Sequence, residues 1–257
     1  MERRLTRVER LGHVLVVRMD RPAKRNAIDR ELAEELDSAF NLLDDDDDLR
    51  AGVLTGTPTV FSAGSDLNAL GDYVTERGGE YGLIRRRRRT PLIAAVEGPA
   101  LGGGLELVLA CDLTVAAEGA RFGLPEVSRG VVPTCGGLFR GPRALPVNLA
   151  RELVLTGDPF DARRAHQAGL VNHLTPDGGA LPAAIALAER IAANAPLAVQ
   201  QSLAAMERWL AGPDEGRGDA TGWAATAEAT AAVTASADLQ EGIAAFLEKR
   251  PPRWQGR

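Results

Sequence analysis

Cysteine is scarce: Cys111 and Cys135 are the only two in 257 residues. They form no C-x-x-C pair and sit in apolar or glycine-rich company, which argues against a disulfide framework or a zinc site and fits a reduced, cytoplasmic protein. Aromatic residues make up 4% of the chain, and none interleaves its one run of arginines to stack bases. Positive charge is not in excess either. The 30 basic residues face 35 acidic ones for a net charge of -5, so the overall field offers no pull toward nucleic acid or an anionic membrane. No run approaches the roughly 18 apolar residues of a membrane span. The opening "MERRLTRVERLGHVLVVRMD" is too charged and too interrupted for a signal peptide. A soluble protein is expected.

What is present is a hydrophobic content of 45%, enough for one large domain or one domain with a small appendage. In the first half, short apolar strands alternate with helical spacing. "LTRVER" and "HVLVVRM" flank Leu11-Gly12 as a hairpin, "ELAEELDSAFNLL" has helical period, and "AGVLTG" and "PLIAAVEG" read as buried strands. Interleaving of this kind implies an α/β core. After about Pro146 the pattern turns helical: "NLARELVLTG", then "DARRAHQAGL" with Asp161 as cap and Gly169 as stop, then alanine-rich segments over 180–210 and 219–248. The stretch "AGPDEGRGDATG", 211–222, reads as a loop joining two helices. No internal repeat is evident.

Two charge runs stand out. "LLDDDDDLR" reads as a solvated surface loop between a helix and a strand. The arginines of "LIRRRRRTPLI", Arg85 to Arg89, would spread around the whole circumference if helical, because successive residues turn by roughly 100°. With no interleaved aromatics they make a poor nucleic-acid patch, although one or two could touch a ligand phosphate or a neighbouring subunit.

The stretch "EGPALGGGLELVLACDL", 97–113, places three glycines and Glu106 at the head of an apolar helix. A helix N-terminus offers unpaired N–H groups and partial positive charge, and glycine allows close approach to a ligand. Glu106 could equally be there only to complement the helix dipole. "TVFSAGSDL", 59–67, is a second small-residue loop in which Asp66 reads as a cap. "RFGLPEVSRGVVP", 121–133, puts Glu126 after Pro125, an ordinary helix start. Each of these has a purely local explanation.

Together with "RMDRPAKRNAID", "ARELVLTGDPFDARRAHQAGLVNHL" and "EGIAAFLEKRPPRWQGR", these segments run in order along nearly the whole chain. In this the chain resembles the crotonase, or enoyl-CoA hydratase/isomerase, superfamily. The resemblance implies an α/β crotonase-like (ClpP/crotonase) spiral of β-β-α turns over 1–195. It also implies a helical C-terminal trimerisation region over 196–257, with trimers often paired into hexamers. It assigns the thioester carbonyl of an acyl-CoA to the backbone N–H groups of Ser65 and Gly103. Glu106 and Glu126 would share one water, Glu106 activating it and Glu126 delivering a proton to the α-carbon.

Lys24, Arg25, Ala63, Asp66, Leu67, Gly102, Pro125 and Thr134 would line the CoA or acyl site, and Lys249 would reach a phosphate across a subunit boundary. Coenzyme A enters as part of the substrate, and no further cofactor, metal, nucleic acid or membrane is implied. His13, His166 and His173 fall outside the motifs. Thr134 and Cys135 depart from the family, which commonly has glycine where this chain has Thr134; a side chain there bears on the acyl pocket. Three readings follow: hydration of a 2-enoyl-CoA, double-bond isomerisation with one acid, and a non-catalytic acyl-CoA- or RNA-binding relative. Two acids favour the first.

Overall fold

A computed structural model describes residues 4–69, 71–211 and 219–257. The chain opens with the expected hairpin, β1 (Thr6–Leu11) antiparallel to β2 (Val14–Met19). Helix α1 (Arg30–Asp45) follows, its first turn capped by the Asp29 carboxylate, which accepts from Leu32 N at 3.0 Å. It leads into β3 (Ala51–Thr55) and a small ribbon of β4 (Val74–Thr75) and β5 (Gly79–Glu80). Next come β6 (Leu92–Val96), β7 (Pro99–Leu101), α2 (Gly103–Ala110), β8 (Leu113–Ala117) and β9 (Arg121–Gly123). The remainder is α3 (Gly137–Ala144), α4 (Val147–Thr156), β10 (Phe160–Asp161), α5 (Ala162–Gln167), β11 (His173–Thr175), α6 (Ala180–Ala192), α7 (Pro196–Ala211), α8 (Asp219–Thr234) and α9 (Ala237–Glu248).

The main sheet has the order β1-β2-β3-β6-β8-β11, parallel from β2 onward. Every residue of β3 and β6 is buried, because both sheet faces are covered and the strands are apolar throughout. Alternation sorts their side chains. Val53, Ile93, Ala95 and Val115 face Ala180, Ala184, Ala188 and Ala192 of α6, whose four-residue spacing forms one helical stripe small enough to lie close on the sheet. Leu54, Leu92, Ala94 and Ala116 join the larger core with Leu32, Leu36, Phe40 and Leu43 of α1.

Each of β3, β6 and β8 is followed by a short extended piece in a second layer and then by a helical start. Ser62 bridges Ala100 of β7, and β7 runs parallel to β9, with Ala100 opposite Phe122. The β-β-α turns implied by the resemblance are these. Ser65, Gly103 and Glu126 each lie three or four residues past their member of that ladder, so the stacked turns bring them to one end.

Several expectations need correction. The region after Pro146 is not purely helical: β10 pairs with β9, and β11 adds a parallel strand to the main sheet beside β8. Strands of two and three residues are too short to show a period. The loop expected over 211–222 is helical at both ends, in α7 at Ala211 and in α8 from Asp219, while 212–218 lie outside the described residues. The arginine run leaves a turn at Arg85 and continues as irregular chain, and the aspartate run is partly helix.

The two runs are in fact partners. Arg86, buried at 1% side-chain exposure, pairs with Asp37 at 2.6 Å and with Asp44 at 2.9 Å, while Arg89 pairs with Asp47 at 2.8 Å on the surface. Arg88 holds Asp112 at 2.7 Å and Arg85 holds Glu80 at 2.8 Å. Asp44 is therefore a buried ion-pair member and not part of a solvated loop.

Removing one member of a buried pair strands the other charge. Arg86→Met is expected to lower unfolding stability by about 3 kcal/mol in urea titration, whereas Arg89→Ala leaves the midpoint nearly unchanged. Equal effects would refute the assignment of Arg86 as the anchor.

Candidate active site

The backbone around residue 64 is assembled from two directions. Arg25 and Asn26 both adopt left-handed φ, 52° and 53°, and the buried Asn26 amide donates to Val60 O at 3.2 Å and Phe61 O at 2.9 Å. Ala63 N donates to Arg25 O and Ile28 N to Gly64 O, which lays the "AKRNA" turn along the "SAGSD" loop. The exposed Lys24 and Arg25 thus stand beside Ala63, Ser65 and Asp66. Asp66 does cap the following turn, accepting from Asn68 N at 3.1 Å, and its other oxygen takes Arg21 at 2.8 Å. The Arg21 hydrogen bond holds this carboxyl below the usual range, so Asp66 braces the loop.

The loop then meets the start of α2. A Cβ on Gly64 would lie 2.8 Å from Gly103 N and 2.9 Å from Leu101 O, and its φ of 91° also demands glycine. Gly103 is the first residue of α2, where N–H groups have no intrahelical partner. Among the described residues, neither Ser65 N nor Gly103 N donates to a backbone or side-chain acceptor.

Glu106, one turn into α2, is 2% exposed. Its Oε1 accepts from Cys135 N at 2.7 Å and Gly137 N at 2.9 Å, and a Cβ on Gly137 would crowd that oxygen at 3.1 Å. Glu126 arrives on the short helical turn Pro125–Arg129, and its Oε1 lies over Gly102, 3.1 Å from where a Cβ would stand. Its Oε2 is buried and has no hydrogen-bond partner among the described residues.

Burial raises the pKa of both carboxyls. At Glu106 the rise is opposed by the N–H groups of Gly137 and Cys135; at Glu126 the charge of Glu106 adds to it. Glu106 is thus the better-supported anion, while burial and the Glu106 charge both favour the neutral form of Glu126.

All these groups line one cavity of about 600 Å³, within the usual size of a small-molecule site. Lys24, Arg25, Ala63, Ser65, Asp66, Leu67, Gly102, Gly103, Glu106, Pro125, Glu126 and Thr134 are all on its wall. Lys249 is not: it is exposed at the end of α9 with φ 54°. None of the three histidines reaches the cavity.

Sequence reasoning missed Tyr81, Tyr73 and Arg129, which also line it. Tyr81 is 1% exposed, and its hydroxyl lies 2.7 Å from Ser65 Oγ. Its setting, "RGGEYGLI", reads only as a turn, and nothing in spacing links residue 81 to residue 65.

With this geometry in place, comparison with known proteins is decisive. A family model described as enoyl-CoA hydratase/isomerase matches residues 9–257. The chain belongs to that family. It is 40% identical to the enoyl-CoA hydratase EchA19 of Mycobacterium tuberculosis over 262 aligned positions, covering 97% of this chain and 96% of that protein. It is 36% identical to the 2,3-dehydroadipyl-CoA hydratase of Escherichia coli, covering 97% and 98%. A crystal structure of an enoyl-CoA hydratase from Mycobacterium tuberculosis H37Rv superposes with a TM-score of 0.93 at 43% identity, covering 99% of this chain and all of that one. The architecture is the crotonase fold.

The charge coupling between the two acids can be read directly. In carbon-13 NMR with labelled glutamate, the Glu126 carboxyl is expected to titrate above the ordinary carboxylate range. Glu106→Gln should move that midpoint down, because it removes a neighbouring negative charge. An upward or absent shift would show that the two carboxyls do not interact.

Proposed function

We propose that this protein is an enoyl-CoA hydratase, adding water reversibly and syn across the double bond of a 2-enoyl-CoA to give a 3-hydroxyacyl-CoA. The observation that carries this reading is the pair Glu106 and Glu126 in one cavity with the free N–H groups of Ser65 and Gly103. The thioester oxygen sits between those two donors, where charge that develops as the enolate forms is stabilised; one such donor contributes roughly 3 kcal/mol.

A water held between the carboxyls gives one proton to the ionised Glu106 as its oxygen bonds to the β-carbon. Glu126 passes its proton from the buried, unpartnered Oε2 to the α-carbon. The pair then holds its single proton on Glu106, and exchange through the next bound water resets it. The chemistry calls for no cofactor beyond the CoA of the substrate itself.

The exposed Lys24 and Arg25 face the CoA phosphates, with Ala63, Asp66 and Leu67 beside them, and Gly102, Pro125 and Thr134 line the acyl end. Residues 1–195 form the catalytic core and 196–257 the assembly region of a homotrimer or a hexamer of two trimers. Trp223 at 71%, Phe246 at 83% and Leu247 at 73% exposure leave apolar surface on α8 and α9 for a neighbouring subunit to cover, and Lys249 beside them would reach the neighbour's CoA. Both cysteines are free thiols, consistent with the cytoplasm. Double-bond isomerisation requires one acid, so the second is the argument for hydration. An RNA-binding role finds little support in Arg85 to Arg89, four of which are engaged in ion pairs.

Glu106→Gln and Glu126→Gln are each expected to slow hydration of crotonyl-CoA by at least about 10²-fold in an ultraviolet assay. The double variant should be far from additive, since both groups act on one water. Full hydration by Glu106→Gln would overturn the two-acid mechanism, and a wild type that isomerises but does not hydrate would overturn the hydratase reading in favour of the isomerase. Light scattering is expected to give a trimer or hexamer at micromolar concentration, and a monomer would remove the cross-subunit role of Lys249.

A further inference from the structure

Tyr81 is held in a costly conformation. Its φ of 58° is left-handed, unusual for a bulky residue. Its ring packs on Tyr73 at 4.8 Å between centroids, and its N–H donates to Tyr73 O at 2.9 Å. The segment behind it is tied down by Arg86, whose Nε donates to Gly82 O at 3.0 Å while its guanidinium pairs with Asp37 and Asp44 on α1. The result is a phenol hydroxyl fixed against the start of α2, so close that a Cβ on Gly103 would collide with it, and 2.7 Å from Ser65 Oγ.

Two hydroxyls that share one hydrogen bond have one O–H proton left over. Burial pushes the Tyr81 phenol far above its ordinary range, so it stays protonated. If Tyr81 donates to Ser65, the Ser65 O–H is left over; if Ser65 donates, the phenol proton is left with the Cys135 thiol beside it, a weak acceptor that a ligand oxygen would outcompete. Either arrangement leaves a donor on the cavity wall next to the N–H groups of Ser65 and Gly103.

We infer that Tyr81 and Ser65 act as one unit that supplies a third hydrogen-bond donor to the thioester oxygen. This rests on the acyl-CoA reading of the cavity. It adds a side-chain donor to the two backbone N–H groups that the resemblance assigns to the carbonyl.

The pair makes an unusual pattern of mutant effects. Ser65→Ala leaves the Tyr81 O–H to turn to the ligand, and Tyr81→Phe leaves the Ser65 O–H, so each is expected to cost no more than about fivefold in kcat. The double variant has neither and is expected to lose about 10² or more. A hydrogen bond that merely positioned the loop would be broken by either single change, and the double would then be no worse than the poorer single.

The second readout needs no turnover: the carbonyl stretching band of carbonyl-labelled butyryl-CoA, a saturated thioester, by difference infrared spectroscopy, with melting temperatures confirming that each variant is folded. The bound wild-type band should lie below its solution frequency, stay low in both singles, and move back in the double. A double variant no worse than the product of the singles, or a band unmoved in it, overturns the inference. A wild type that does not bind butyryl-CoA, or binds it without shifting the band, overturns the oxyanion reading on which it rests.

Discussion

The constraint on which the site depends is backbone packed against backbone. Ser62, Ala100 and Phe122 align in neighbouring extended pieces, and the residues that follow must pass one another with almost no space between chains. Gly64 meets Gly103 N and Leu101 O at under 3 Å from any Cβ it would carry. A methyl group would separate the "SAGSD" loop from the head of α2 and would part the two free N–H groups. The glycines matter less as flexible points than as missing side chains.

Around that contact the chain arranges two acids with different surroundings. The same helix start that exposes Gly103 N carries Glu106 one turn later, and the loop before α3 folds back so that Cys135 N and Gly137 N hold one of its oxygens. Glu126 receives no such support at Oε2 and lies near the Glu106 charge. Two residues of the same type thereby meet different surroundings, one with its anion supported and one without, the asymmetry that the proposed addition with proton transfer at both ends would use.

Much of this was legible in the sequence because it is local. The hairpin, α1, the buried strands β3 and β6, and the Asp161 cap with Gly169 behind it all follow from residue pattern within a few positions. The paired glutamates and the two loops could be placed only through the ordered resemblance, since each motif alone has an ordinary local explanation. What stayed hidden was long-range. The β11 strand exists because β8 has a free edge, and the solvated reading of the aspartates failed because the partner of Asp44 lies 42 residues away. Tyr81 was missed for the same reason: its partner Ser65, in direct contact in the fold, is 16 residues distant in sequence.

The two charge runs connect this hidden part to the site. Buried ion pairs give little net stability when both members are present, so their use lies more in specifying one arrangement than in strengthening it. Arg86 illustrates this. Its charge, enclosed between Asp37 and Asp44 of α1, can be satisfied only if the chain before it takes one path. That path fixes the backbone at Gly82 and forces Tyr81 into a left-handed conformation it would not choose in isolation. The strain is held by the ion pairs and by Tyr73, and it brings the phenol hydroxyl against Ser65 on the cavity wall. One member of the arginine run, Arg86, therefore acts inward, as the anchor that holds Tyr81 against Ser65.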